Sequence, residues 1–218
     1  VKSMLNMLIV MTLSLAAPVA VDAHPHSWID LSVRLEVDDK GRLLALEQAW
    51  RLDPFYSLVL LEDLAAEPDG MNVALDRLRG DMLRTLAPQG FFTEAEVDGQ
   101  ALSFKGVAEA TVMNSNDRIV LHFRLPLRKP ITLAGHLLSY RVYDPTYYIE
   151  VVHEAEDDGS TPLPNALVVP DRLNCEHEIV KATPDPEKVA EASRLDIDET
   201  GDPRLGRFFA ETGRVDCR

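Results

Sequence analysis

Two histidines separated by a single proline, His24 and His26, are the residues best placed to do chemistry. They follow Val21-Asp22-Ala23, where small residues at the −3 and −1 positions mark an expected signal-peptidase site. Cleavage after Ala23 would make His24 the mature N-terminus, so that processing itself creates a metal-binding group. A terminal histidine offers its α-amine and a ring nitrogen together, and His26 adds a second imidazole. Both donor types lose a proton readily near neutral pH. On an extended chain, residues two apart project to one side, so both rings could meet one ion. Pro25 has no N–H, so a deprotonated amide at that position is not available as a ligand. What remains is an amine-plus-two-imidazole set suited to nickel, cobalt or zinc, and also to copper.

Asp53 is the next candidate. It sits at the end of the strand expected to pair with the one beginning near His26, so the hairpin would bring residue 53 close to residues 26–28. Its carboxylate could complete a metal site or accept a histidine N–H. It also fits as the N-cap of the helix that Pro54 opens. Asp144, in an Asp-Pro turn, is a fourth metal candidate; an ordinary turn aspartate is the competing reading. Tyr140, Tyr143, Tyr147 and Tyr148 read as packing residues, as do Trp28 and Trp50. His122, His136, His153 and His177 are scattered; His153, near Glu150 and Glu154, is the best placed of them. Signals for catalysis are poor: Ser57 has no His/Asp partner at motif spacing, and the hydrolase, zinc-protease, P-loop and dinucleotide-binding motifs are missing.

These residues must be positioned by a fold, and the hydrophobic pattern outlines one. Met4 to Ala17 is an apolar run broken by Asn6, Thr12 and Ser14 and preceded by Lys2. It is short for a membrane span, so residues 1–23 read as a signal peptide and 24–218 as a single exported domain. Residues 28–38 alternate apolar and polar, Asp38-Asp39-Lys40-Gly41 is a turn, and 42–52 is the return strand. Helices are expected over about 54–66 and 71–87, a helical insert spanning about 54–87. Strands are expected at 91–97, 101–105, 107–113, 118–127, 137–143, 147–153 and 174–182. The acidic stretch 155–165 reads as an exposed loop, and the tail as a polar helix near 186–194 and a short apolar one near 204–210. The sum is α+β: mostly antiparallel hairpins, a sandwich being one architecture that fits, with two inserted helices.

Composition narrows the partners. The 218 residues carry 22 Lys+Arg and 36 Asp+Glu, a net charge of −14. Such a surface disfavours nucleic acid and anionic membranes and concentrates cations. Two cysteines, Cys175 and Cys217, suggest a disulfide in an exported chain. Closing that loop would stabilise the fold by about 4 kcal/mol in the chain-entropy picture. A thiolate metal site at Cys175 and His177 is the alternative.

Several distinctive segments occur in one order: Ala-His-Pro-His-Ser-Trp-Ile-Asp at 23–30, Trp-Arg-Leu-Asp-Pro-Phe-Tyr-Ser at 50–57, Tyr-Asp-Pro-Thr-Tyr-Tyr at 143–148, and Leu-Gly-Arg-Phe-Phe-Ala at 205–210. In these the chain resembles the DUF1007 family of bacterial exported proteins, sometimes labelled the periplasmic component of an uncharacterised ABC-type transport system. The resemblance implies a companion of nickel/cobalt or zinc transport. The alternating strand–helix pattern that would build a two-lobed solute receptor is not visible. The expectation is therefore a periplasmic metal-binding accessory protein, not an enzyme, that captures a divalent transition metal through His24 and His26, with Asp53 and Asp144 assisting. It would deliver the ion to an inner-membrane transporter. An interaction module that assembles or regulates a transporter without metal is the alternative, and a copper enzyme using the terminal histidine is third.

Overall fold

The computed structural model describes residues 25–107, 109–156, 159–195, 199 and 201–218. The expected leader and His24 lie outside these residues. Among the described residues, eleven strands form two mostly antiparallel sheets and three α-helices accompany them, an α+β fold.

The first hairpin is built as its alternation requires. β1 (Ser27–Val37) and β2 (Arg42–Leu52) pair antiparallel, with Ile29 opposite Leu52 and Leu31 opposite Trp50. Gly41 turns the chain at φ +70°. β5 (Glu109–Ser115) and β6 (Arg118–Thr132) extend the sheet on the β2 side. On the other side β1 takes two parallel neighbours, β8 (Ile149–His153) and β9 (Leu167–Val168). The second sheet runs β10 (Glu176–Val180), β11 (Thr212–Asp216), β7 (Leu137–Val142), β3 (Thr93–Val97) and β4 (Gln100–Ala101). Buried side chains from both sheets form one hydrophobic core.

α1 (Pro54–Ala65) starts where β2 stops. Asp53 accepts the Tyr56 N–H, and Pro54 occupies the first turn, where its missing N–H costs nothing. α2 (Met71–Leu86) follows, and α3 (Pro186–Ala192) repeats the Asp-Pro start with Asp185. α1 lies against β6 and α2 against β5.

Four departures from the sequence pattern have physical causes. Phe91 and Phe92 do not begin β3; both take left-handed backbone after Gly90. A strand sends consecutive side chains to opposite faces, whereas here both rings enter the core, Phe92 stacked on Trp50 and Phe91 against Phe123. Residues 101–105 supply only the end of β4 and a lone bridge from Phe104 to Leu127. Residues 137–143 and 147–153 do not pair across Asp144-Pro145; the turn carries the chain from the second sheet to the first. The apolar tail near 204–210 forms one 3-10 turn (Gly206–Phe208), followed by β11, a strand too short and polar to announce itself. Cys175 and Cys217 are disulfide-bonded, joining β10 to the end of β11.

Candidate functional site

The pairings of β1 with β2 and with β8 decide what surrounds its first residues. Trp28 O accepts the Asp53 N–H at 3.0 Å, as the hairpin register demands. Ser27 donates its hydroxyl to Asp53 Oδ2, while Tyr56 N–H occupies Oδ1 at 2.9 Å. Asp53 is 3% exposed. Its carboxylate thus ties three segments together: the start of β1, the end of β2 and the first turn of α1.

On the opposite flank, the parallel partner of Ser27 is Ile149. The His26 N–H donates to Tyr148 O at 3.0 Å, and the two rings lie 4.7 Å apart in a tilted arrangement. Asp144 organises this flank. Its carboxylate accepts the Thr146 N–H and Thr146 hydroxyl, both at 3.0 Å, and the Ile149 N–H at 3.1 Å. The tail is pressed onto the same turn. Gly206 N–H donates to Pro145 O at 2.9 Å, and a Cβ at position 206 would stand 1.8 Å from Asp144 O. Only glycine fits there.

His26, Asp53 and Asp144, far apart in the chain, are therefore gathered around one end of the first sheet. Both carboxylates hold backbone at the base of that end. Among the described residues, no group of three or more His, Cys, Asp or Glu side chains is arranged to hold a metal ion.

The remaining histidines separate clearly. His136 pairs with Asp98 at 2.6 Å near the surface. His122 and His177 are exposed on β6 and β10. His153 is 5% exposed, and neither of its charged partners expected from neighbouring sequence, Glu150 and Glu154, is bonded to its ring. Instead Glu211, just before β11, accepts both the His153 backbone N–H at 2.7 Å and the Nδ1–H at 2.8 Å. On the other side of the ring, Nε2 is hydrogen-bonded to the Tyr140 hydroxyl at 2.9 Å. β8 of one sheet is thereby bonded to β7 of the other and to the residue that leads into β11. Glu154 points to the opposite face, where it accepts bonds from Ser32 at 2.8 Å, Arg51 at 3.1 Å and Asn165.

A cleft of about 480 Å³ opens beside this triad, lined by Asp30, Glu150, His153, Glu156, Lys181 and Glu211. The acidities differ with surroundings. Burial raises Glu211, but the hydrogen bonds from His153 outweigh it and hold the carboxyl below the usual range. Burial, with the charge of Glu211 adding to it, pushes Glu150 up despite a hydrogen bond from Tyr147. Burial also raises the Tyr140 phenol well above its ordinary value, and the Glu211 charge adds to that. Tyr140 is itself enclosed, its ring resting on Gly213, where a Cβ would meet ring carbons at 2.2 Å. No reacting group is offered to solvent at Tyr140. The sequence held no local signal for this triad, since its members are separated by a sheet crossover and a long tail.

The class these features define is a two-sheet α+β protein, stapled by a disulfide, with polar residues of distant origin gathered at one end of its first sheet. The profile of the family described as "Protein of unknown function (DUF1007)" matches residues 9–217, and the chain belongs to that family. It is also similar to an uncharacterized protein of Haemophilus influenzae, with 23% identity over 198 residues, covering 89% of this chain and 91% of the relative.

Proposed function

We propose that this is an exported, periplasmic accessory protein of nickel/cobalt or zinc transport or homeostasis. It takes a divalent ion at His24 and His26 and hands it to an inner-membrane transporter. The observation that supports this reading is the anchoring of the first residues of β1. The His26 backbone is bonded to Tyr148, and Ser27 is bonded to Asp53. A histidine pair that enters a strand so fixed loses less freedom on meeting an ion than one on a loose terminus. Asp53 and Asp144 act beneath the site by holding backbone, which fits support of the ligands better than direct ligation. The acidic surface favours cations arriving from solution.

The test is calorimetric titration of the protein beginning at His24 with Ni²⁺, Co²⁺, Zn²⁺ and Cu²⁺, beside a form carrying one additional N-terminal residue. Stoichiometric binding that collapses in the extended form, and in His24→Ala and His26→Ala, is the expected result. Equal, weak binding by all forms would overturn metal capture.

A further inference from the structure

The first two turns of α1 are apolar on the side they turn to solvent as well as on the side they bury, and exposed Glu62 and Asp63 follow in the next turn. Phe55 is 75% exposed, Leu58 and Val59 are each 55% exposed, and Tyr56 is 50% exposed. Positions 55, 58 and 59 stand at i, i+3 and i+4, and 56 and 59 are also neighbours, so the four side chains form one continuous patch. Residues 54–61 contain no charge, in a chain of net charge −14. Trp28, whose carbonyl holds the Asp53 N–H at the helix start, is 36% exposed, and Val73 on the adjoining α2 is 47% exposed.

The four α1 side chains alone present roughly 400 Å² of apolar surface, at ~150–250 Å² for a whole aromatic ring and less for Leu and Val. That lies within the range of the largest patches on monomers, which are often functional. Homodimer interfaces are about 65% apolar, so a core of this size implies roughly 600 Å² per copy and about 1,200 Å² in total. This is the lower bound of a stable, specific interface.

We propose that this face is a homodimer interface, in which α1 of one copy packs across a two-fold axis on α1 of a second. A two-fold contact brings a patch against itself. The uncharged stretch 54–61 meets no like charge at the centre of such a contact, with Glu62 and Asp63 left at its border, whereas an interface elsewhere on so acidic a surface would place like charges at its centre. Anionic lipid would be repelled by the same charge. The remaining charge of the two copies still repels at long range, so the dimer tightens as salt rises. This inference is independent of metal capture.

Sedimentation velocity over roughly 1 to 100 µM, where an interface of minimum size dissociates, tests it. The mass is expected to move from one chain toward two with concentration, and at lower concentration in about 300 mM salt than in about 20 mM. Leu58→Asp and, separately, Phe55→Ser are expected to be monomeric with unchanged circular dichroism, because both side chains face solvent. A chain that stays monomeric at every salt concentration would overturn the proposal. So would a dimer indifferent to both substitutions, or a monomer whose α1 residues are instead required for binding to phosphatidylcholine vesicles.

Discussion

Replacing Asp53 with alanine removes two hydrogen bonds from a side chain that is 3% exposed. The N-cap bond to Tyr56 contributes about 1 kcal/mol, and up to about 2 in well-ordered caps. The Ser27 hydroxyl on a buried carboxylate contributes about 1.5–3 kcal/mol, as hydrogen bonds to charged groups do. Because the two bonds share one side chain, simple addition overstates the loss, and Asp53→Ala is expected to cost about 2–4 kcal/mol. For a domain of this size that corresponds to a fall of roughly 5–15 °C in Tm. Asp53→Asn separates the roles. Asparagine caps as well as aspartate but brings no charge, so its loss is expected near 1 kcal/mol. Urea unfolding followed by far-UV circular dichroism measures both. If Asp53 holds backbone beneath the site, the asparagine variant keeps its Ni²⁺ and Zn²⁺ affinity within about threefold. If it is itself a ligand, affinity falls at least tenfold while stability barely moves. An Asp53→Ala variant that loses less than about 0.5 kcal/mol would refute the claim that this carboxylate ties β1 to α1.

Tyr140→Phe removes the hydroxyl that satisfies His153 Nε2 and leaves a buried polar atom unpaired, so it is expected to cost about 1–3 kcal/mol in chemical denaturation, more than a typical exposed Tyr→Phe change. Glu211 is held below its ordinary value of 4.5, so its bonds to His153 stabilise the fold above that pH. That contribution is lost as pH falls through the lower folded-state value. The stability difference between the native chain and Glu211→Gln should therefore be largest near neutrality and shrink in acid, as titrated by unfolding at several pH values. Glu150, raised by burial, has the opposite sign, so Glu150→Gln is expected to stabilise the protein at neutral pH.

Much of this architecture can be read along the chain because local rules act over short distances. The alternation of residues 28–38 with a turn at 38–41 placed the first hairpin in a register that brings Asp53 against Trp28, and Asp-Pro pairs mark the starts of α1 and α3. The site was legible only in part. Asp53 followed from hairpin geometry, whereas the approach of Asp144 depends on a parallel pairing of β1 with β8 that spans more than a hundred residues. The tail was misread because β11 gains its place from neighbours on both sides rather than from its own propensity.

Taken alone, the sequence determined the α+β class, the first hairpin with its two following helices, the candidate histidine pair and the means for a disulfide, because periodicity, caps and turns are written within a few residues. Only the tertiary structure decided that His153 is answered by Tyr140 and Glu211, and that Asp53 and Asp144 flank the start of one strand. It alone left an apolar face of α1 uncovered. Those outcomes depend on which surfaces the two sheets bury against each other, and burial is a property of the assembled chain.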